Sequence, residues 1–521
     1  MDDSITSFYV QATGSSHIAS GKPCQDSGLA YSNNGIHIAV VCDGHGGDCY
    51  VRSDVGSRLA AKIARDEILR FIESNPLLFK GKKGCVPAVP TVNPLKDEFG
   101  RTRETADLSE TELEQLRQNA QYFNESEKFP EIESAMRRLF ADICDSWKEA
   151  IKADSKRRPF SPKERNKLGS RRLEKAFGST LMAAVRTPDY WFAFHIGDGK
   201  LYSCDRLMGW KEPVPWDCNC FLNITTSLCD SHPVNEFRYA FDGTGNFPIA
   251  FVLGSDGIDD TFVTKEGIEK FYSQILTLFN ERGKEDLIGL LEQQLPHLSR
   301  RGSHDDMSVA AVIDSSHLPN AVEYYNNILC KVRALTAERN QRQNAINKLE
   351  QEICRLRSEY DEVLAKRNQK ASANWNWWKN ILRQCEEKWL GCKQLSEKAN
   401  VLYDKIAKSD CDLASQKEVF SKWEAESRNQ VKQLKAKARE FENQIPVDSS
   451  VSQQEPETVT PIFLDLVDKH TETVNDEPLE SDDPTQVYEK AGQSMMTEED
   501  IERMKEEADK QTKEILNDNH K

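Results

Sequence analysis

Acidic residues recur along the first 318 residues at the points where short apolar strands meet glycine-containing turns. In chain order these clusters are Gln25-Asp26 in KPCQDSG, Asp43-Gly44-His45-Gly46-Gly47, Gly197-Asp198-Gly199, Ser255-Asp256-Gly257 and Asp305-Asp306 in GSHDDMSV. A single Asp-Gly pair is a common turn dipeptide and indicates little by itself. Five clusters, each next to an apolar strand, predict carboxylates that converge on one point, as a hard divalent cation with oxygen ligands requires.

Strands and helices alternate in this region, which indicates an α+β fold. The run IHIAVVC (Ile36 to Cys42) predicts a buried strand, and Pro188-Asp189 predicts the turn of a hairpin between TLMAAVRT and YWFAFHIG. Apolar residues at helical spacing predict helices from about Tyr50 to Glu73 and from Ile132 to Ala153.

Residues 75–129 differ in composition, with Pro, Gly, Lys and Glu in place of a sustained apolar period. We interpret this stretch as a partly disordered insertion with a short helix near Leu108–Gln121. The unit that contains it closes near Asp314, so we place a first domain at residues 1–318.

Residues 321–445 carry apolar residues in steps of three and four, which predicts a helical coiled-coil or hairpin region. The pattern lapses around residues 365–378, and three helical segments with breaks fit an antiparallel hairpin or small bundle better than one rod. Residues 446–521 hold about 21 acidic and about 7 basic side chains. We expect an acidic, largely disordered tail with a short helix that begins near Thr497.

The composition excludes several classes of function. The formal net charge of −16 argues against general affinity for nucleic acid or for an anionic membrane. No apolar run approaches the roughly 20 residues of a membrane span, and the N-terminus lacks the pattern of a secretory signal. The 14 cysteines include no C-x-x-C pair, which favours reduced thiols. We therefore expect a cytoplasmic location.

The motifs VVCDGHGG, FGSTL, FHIGDGK, VLGSDGIDD and SHDDMSV, in this order, resemble those of the type 2C family of serine/threonine phosphatases. The resemblance covers about residues 6–314. It implies a central β-sandwich flanked by helices and a metal-dependent protein phosphatase with two Mg²⁺ or Mn²⁺ ions. In such enzymes a hydroxide that bridges the two metals attacks the phosphorus of a phosphomonoester on a phosphoprotein substrate.

The resemblance implies a role for each matching acidic residue. Asp43 resembles the aspartate that bridges both metals, and the Gly44 carbonyl resembles a further ligand. Asp256 and Asp305 resemble the carboxylates that complete the first metal's shell. Asp198 resembles the ligand of a third, weaker metal site.

Three further positions match the family motifs. Asp26 resembles a residue that hydrogen-bonds a metal-bound water, and His45 stands where the family has its proposed general acid. Thr180 lies in the GST motif, where we expect a structural role.

Two positions depart from the family pattern. Gln25 stands where many members have a glutamate, so the second metal would lose one charged ligand. Gly21 stands where members often have a phosphate-binding arginine, and Lys22 or His17 is the candidate replacement. The segment GSSHIASGKPCQD resembles a divergent, mostly bacterial branch in which that arginine is commonly missing.

These departures leave alternatives open. One is a catalytically impaired regulatory scaffold that binds a phosphoprotein or a kinase through residues 321–445, and another is an assembly module built on that helical region. The basic loop from Lys156 to Arg172 could also fold against the acidic tail as a brake on activity. We expect neither nucleic acid nor a membrane as a partner.

Overall fold

The computed structural model of the chain describes residues 4–90, 95–96, 102–104, 108–217, 220, 225–245, 247–372 and 381–444. The strands are β1 (Ile5–Ala12), β2 (Ser27–Asn33), β3 (Ile36–Cys42), β4 (Lys83–Val86), β5 (Leu181–Arg186), β6 (Trp191–Ile196), β7 (Lys200–Cys204), β8 (Trp210–Lys211), β9 (Arg238–Asp242), β10 (Ala250–Gly254) and β11 (Met307–Asp314). The helices are α1 (Ser15–Ser20), α2 (Ser53–Ser74), α3 (Glu110–Lys128), α4 (Pro130–Arg157), α5 (Pro162–Leu168), α6 (Pro233–Glu236), α7 (Asp256–Phe262), α8 (Lys265–Arg301), α9 (Leu318–Tyr324), α10 (Cys330–Ser372) and α11 (Ile381–Gln444), with a 3₁₀ turn at Leu173–Phe177 and a π-helical turn at Tyr325–Leu329.

The strands form two antiparallel sheets. The first has the order β1-β11-β10-β7-β8 and the second the order β2-β3-β5-β6-β9-β4. Their facing sides bury a core of small and branched side chains, among them Ala39, Val41, Ala184, Leu253, Ala310 and Val312. Two sheets that pack face to face in this way form a sandwich.

Helices cover both outer faces of the sandwich. Helices α2 and α4 pack on the second sheet, and the indole of Trp147 donates a hydrogen bond to the Gly56 carbonyl at 3.0 Å, which joins the two helices. On the first sheet, Tyr272 of α8 packs against Tyr202 and Trp210, with ring centroids 5.7 and 5.8 Å away. The α+β sandwich flanked by helices that the sequence led us to expect is therefore confirmed.

The stretch 75–129 contains more regular structure than we predicted. Strand β4 pairs with β9 at the edge of the second sheet, and the 19-residue helix α3 begins at a capping box between Ser109 and Glu112. The four-residue strand is too short to show a period of two, and its partner lies about 150 residues further along the chain, so local sequence gave no sign of it. Residues 91–94, 97–101 and 105–107 lie outside the described part.

The buried Arg52 joins the start of α2 to the α4–α5 turn. Its Nε atom lies 2.9 Å from Glu164 Oε1, and its Nη1 atom donates to the Arg158 carbonyl at 2.6 Å and lies 3.5 Å from Asp154 Oδ2. Its guanidinium also lies 4.1 Å from the centroid of the Phe160 ring. The ion pairs and the ring together fix the basic segment after α4 against the domain.

Helices α10 and α11 form an antiparallel hairpin. Arg357 pairs with Asp410 at 3.1 Å, and Lys398 pairs with Glu359 at 3.0 Å, so residue numbers run in opposite directions along the two helices. The second and third of the three predicted helical segments belong to one continuous helix, α11. The part of α11 with few apolar residues is exposed to solvent and does not interrupt the helix.

The base of the hairpin packs on the sandwich domain. Arg333 at the start of α10 pairs with Glu269 of α8 at 3.0 Å, and the ring of Tyr324 contacts Phe441 near the end of α11, with centroids 5.6 Å apart. No described helix is long and apolar enough to cross a membrane. Our predictions for residues 446–521, including the C-terminal helix, lie outside the described residues.

Acid should reveal the contribution of the Arg52–Glu164 pair to stability. The hydrogen bond from Arg52 lowers the pKa of Glu164 from 4.5 to about 2. Because this pKa is lower in the folded state, the pair stabilises the fold fully above pH 4.5 and loses that effect as the pH falls towards 2. We expect Glu164→Gln to lower the free energy of unfolding at pH 7 by about 1 kcal/mol, and to flatten its decline between pH 4.5 and 2.

Urea unfolding at a series of pH values measures this effect. Glu73→Gln, at an exposed carboxylate near the end of α2, is the control and should follow the unsubstituted protein. Equal acid dependence in the Glu164 and Glu73 variants would contradict the assignment.

Candidate active site

Strand ends from both sheets meet at one edge of the sandwich. In the second sheet Ser27 pairs with Cys42 and Val41 with Met182, which places the starts of β2 and β5 beside the end of β3. In the first sheet Gly254 pairs with both Val309 and Lys200. All five predicted acidic clusters therefore lie at this edge, because each one precedes or follows one of these strand ends.

The loop that carries Asp43 is held by the GST motif. The Asp43 N–H donates to Thr180 Oγ1 at 2.9 Å, and the Thr180 N–H donates to the Asp43 carbonyl at 2.8 Å. A Cβ atom on Gly44 would lie 2.5 Å from the Gln25 carbonyl oxygen, so only glycine fits there. Thr180 thus positions Asp43 through the backbone.

A cavity of about 1080 Å³ opens at this edge. The predicted site residues that line it are Asp43, Gly44, His45, Asp198, Asp256 and Asp305, together with Gln25. Asp259 and Asp260 of the same VLGSDGIDD motif also line it, as does Asp306. The lining is therefore strongly acidic on one side.

The carboxylates are close enough to disfavour each other's charge. Burial, then the charge of Asp198 and Asp305, raises the pKa of Asp256 to about 7, and its side chain hydrogen-bonds that of Asp43. Burial and the charges of Asp256 and Asp26 raise the pKa of Asp43. Like charges in one buried site cannot all ionise without a counter-charge.

These residues fit a hard divalent cation. The side-chain amide oxygen Oε1 of Gln25 and the Oδ2 atom of Asp26 are buried, and neither has a hydrogen-bond partner among the described residues. Oxygen atoms without partners, beside carboxylates with raised pKa values, are what a site built for Mg²⁺ or Mn²⁺ presents. Asp26 itself is not among the described residues that line the cavity. Its pKa is raised mainly by burial, and further by the charges of Asp256 and Asp306.

The candidate phosphate-binding residues Lys22 and His17 are not among the described residues that line the cavity. Lys22 is exposed, and His17 is buried with its Nδ1 atom 2.9 Å from Asp306 Oδ2. The Asp306 carboxylate also accepts from the Gly14 and Gln25 N–H groups, each at 2.6 Å. Asp306 therefore holds the segment from Gly14 to Gln25 against the site.

His17, Asp305 and Asp306 also form a group that could itself hold a cation. One potential ligand atom from each of the three lies within 4.8 Å of the others. The His17 Nε2 atom is 4.0 Å from Asp305 Oδ1, and Asp305 is exposed.

The other side of the cavity surrounds His45. Its Nε2 atom lies 2.7 Å from Ser227 Oγ, and the Ser227 hydroxyl donates to the Ser179 carbonyl at 3.0 Å. Because a carbonyl only accepts, Ser227 receives the Nε2–H of His45, which fixes the tautomer. Burial lowers the pKa of His45 to about 4, opposed by Asp230 and assisted by Lys175. The imidazole is therefore neutral at pH 7 without a bound cation.

Sequence reasoning missed the residues that build this side. Lys175 lies 3.1 Å from Asp230, and its Nζ atom is 5.9 Å from the centroid of Tyr50, whose ring packs at 4.8 Å from that of His45. Lys175 lies only five residues before Thr180, so the GST motif offered a signal for it. Ser227 and Asp230 lie in a loop without a recognisable pattern, and nothing local pointed to them.

The structure is thus an α+β antiparallel sandwich with a cluster of carboxylates, which could ligate divalent cations, at one strand edge. A family model described as "Protein phosphatase 2C" matches residues 13–295. This is more than half of the chain, so the chain belongs to the protein phosphatase 2C family. Asp305 lies beyond the matched range.

Several solved structures are similar to this chain. PppA of Pseudomonas aeruginosa is 16% identical, with 59% of this chain and 97% of that one covered and a TM-score of 0.31. Stp1 of Staphylococcus aureus, titled a serine/threonine phosphatase, is 14% identical, with 59% and 94% covered and a TM-score of 0.32. A sex-determining protein of C. elegans is 15% identical, with 61% and 67% covered and a TM-score of 0.33. None of the curated proteins matches the chain.

The Thr180 hydroxyl should be required for tight metal binding. Thr180→Val keeps the shape of the side chain but leaves the Asp43 N–H without its acceptor, which frees the loop that carries Asp43. We expect Mn²⁺ affinity to fall about tenfold. Isothermal titration calorimetry measures this without any need for turnover. Thr180→Ser, which keeps the hydroxyl, should restore most of the affinity, and a Ser variant as weak as the Val variant would argue against the hydrogen bond.

Proposed function

We propose that this protein is a Mg²⁺- or Mn²⁺-dependent protein phosphatase that hydrolyses phosphoserine or phosphothreonine monoesters. The observation that carries the proposal is the convergence of Asp43, Asp198, Asp256 and Asp305 on one cavity. Burial raises the pKa of Asp43, Asp198 and Asp256, and neighbouring carboxylates add to the rise at Asp43 and Asp256. An acidic cluster with a purely structural role would not require mutually repelling carboxylates to be buried together at the mouth of a cavity. Membership of the phosphatase family supports the same reaction class.

The roles of the ligands follow the family resemblance. Asp43 would bridge two ions, with the Gly44 carbonyl as a further ligand, and Asp256 and Asp305 would complete one shell. Asp26 would act through a water, and Asp198 would hold a third, weaker ion. When bound, two such cations lower the pKa of a water between them and so supply hydroxide at neutral pH.

The chain's own residues orient the substrate and handle protons. His45 is held by Ser227 at Nε2, which leaves Nδ1 as the atom that can take up a proton and pass it to the leaving oxygen. A Cβ atom on Gly178 would lie 2.5 Å from His45 Cδ2 and 2.6 Å from the Tyr50 ring, so the glycine of the GST motif leaves the space that the imidazole occupies.

Lys175 is a third candidate for the cation that holds the substrate phosphate. Among the described residues that line the cavity it is the one lysine, and no arginine lines it there. Its ion pair with Asp230 places it beside His45. A lysine binds phosphate as a point charge rather than as a bidentate fork. Lys22 and His17 remain the candidates that the sequence suggested.

Metal-dependent turnover is the direct test of the proposed function. With p-nitrophenyl phosphate we expect hydrolysis that requires Mn²⁺ or Mg²⁺ and stops with chelator. We expect Asp43→Asn to lower the turnover by roughly 100-fold or more, because it removes the charge that bridges the ions. Asp189→Asn, in the exposed β5–β6 turn, is the matched control and should keep full activity.

Absence of turnover with either ion, on this substrate and on a phosphothreonine peptide, would contradict the proposal. It would favour the impaired scaffold, in which Gln25 and the missing arginine weaken metal and phosphate binding.

Substitution of Lys175 should separate substrate binding from chemistry. We expect Lys175→Met to raise KM for p-nitrophenyl phosphate about tenfold with a smaller effect on kcat, because a charge-assisted contact to phosphate is lost. Lys22→Met and His17→Gln, measured beside it, should change KM less than twofold if Lys175 carries the role. A rise in KM confined to either of those two variants would assign the role to that residue instead.

A partner protein, such as a kinase, remains a second proposal for the helical hairpin. Its long helix α11 exposes the apolar side chains of Leu390, Val401, Tyr403 and Val419. These exposed apolar side chains are the observation behind this second proposal. All described cysteines are free, which agrees with the cytoplasmic location that we propose.

A further inference from the structure

The segment from Lys156 to Lys175 is strongly basic, whereas the chain as a whole is acidic. It holds nine Lys or Arg and two Glu within 20 residues, in a protein whose net charge is −16. Of the two glutamates, Glu164 pairs with Arg52 outside the segment, and Glu174 lies in the 3₁₀ turn. This segment is therefore a strongly basic patch on an acidic protein.

Part of the positive charge in this segment is not neutralised. We define the basic rim as Lys163, Arg165, Lys167, Arg171 and Arg172, all of which are exposed. Lys167 has an acidic partner in Asp48, at 2.8 Å. The three arginines contact only backbone carbonyls among the described residues, and Lys163 has no acidic partner there. Free guanidinium groups at a surface are ready to bind carboxylates.

The fold places the basic rim beside the mouth of the catalytic cavity. Lys167 binds Asp48, which directly follows the cavity-lining Gly47. Arg172 donates to the Cys229 carbonyl at 2.9 Å, and the next residue, Asp230, lines the cavity. Both contacts reach loops that surround His45.

The rim is also held firmly in place. Glu164 and Leu168, four residues apart on α5, face the domain, where Glu164 pairs with Arg52 and Leu168 is buried. Lys163 and Lys167 are likewise four residues apart and share one face of the same helix. A fixed array of positive charges attracts a complementary chain at little cost in conformational entropy.

We propose that the basic rim binds acidic residues that flank the phosphorylated residue of the substrate, so that the enzyme prefers phosphoproteins with acidic sequences near the phosphate. The inference rests on the proposed function and adds the substrate class. An extended peptide advances about 3.3 Å per residue. Acidic side chains a few residues from the phosphate can therefore reach the rim while the phosphate enters the cavity. This mode of binding does not require the basic rim to contact the residues proposed as metal ligands.

The test compares phosphothreonine peptides that differ only in four flanking residues, either Asp and Glu or Ser and Ala, placed before or after the phosphate. We expect kcat/KM for the acidic peptides to exceed that for the neutral ones about tenfold at low salt, and the preference to shrink as ionic strength rises. The variant Lys163→Glu, Arg165→Glu, Arg171→Glu should lose the preference while it hydrolyses p-nitrophenyl phosphate at an unchanged rate.

A matched variant controls for total charge. Lys405→Glu, Lys408→Glu, Lys432→Glu makes the same change at exposed positions on α11, and it should keep the preference. Equal turnover of acidic and neutral peptides, or a preference that survives charge reversal at the rim, would overturn the inference.

A binding measurement tests the inference even if the protein hydrolyses none of the peptides. Fluorescence anisotropy of the same labelled peptides with the full chain should give a Kd about tenfold lower for the acidic peptides, and charge reversal at the rim should abolish the difference. In that case the proposed function fails and the acidic-peptide surface stands. A single-stranded oligonucleotide of equal charge that binds as tightly as the acidic peptide would overturn the choice of partner.

Discussion

The repulsion among the clustered carboxylates is the constraint around which this molecule is organised. Asp43 and Asp256 come from different sheets, and they remain close only because the strands behind them are fixed by a buried core. Each would gain hydration if the sheets moved apart. The sandwich and its helical layers therefore stabilise a site that is unfavourable without counter-ions. A cation that binds there relieves this repulsion and stabilises the fold at the same time.

The two halves of the cavity differ in how they were encoded. The acidic half comes from short motifs in which a strand, a turn and a carboxylate are adjacent in sequence. The pattern alone therefore pointed to Asp43, Asp198, Asp256 and Asp305, although not to Asp259 and Asp260 of the VLGSDGIDD motif. The half around His45 is assembled from Lys175, Ser227 and Asp230, which lie on a 3₁₀ turn and a loop. Their meeting depends on how loops fold over the sandwich, and such long-range contacts leave no local period in the sequence.

The same distinction explains how well the fold was predicted. Helices α2 and α4 and the β5–β6 hairpin carry strong periodicity and turn signals, and the sequence located them. Strand β4 was missed because four residues at a sheet edge show no period. The single helix α11 was divided into two because its solvated face interrupts the apolar pattern. The hydrophobic period in a sequence indicates which residues of a helix are buried. It therefore predicts an unbroken helix only where one face of the helix is buried along its whole length.

The helical hairpin is a long, rigid extension of the sandwich domain. Helix α10 has 43 residues, and at about 1.5 Å per residue it extends roughly 65 Å. Its base is fixed by the Arg333–Glu269 ion pair, so the far end is held at a distance rather than free to fold back. A protein bound at that end would meet the cavity only through its own long or extended segment. A substrate held by such a partner would therefore need a segment long enough to span the hairpin. For substrates with such a segment, the hairpin would raise the local concentration at the cavity.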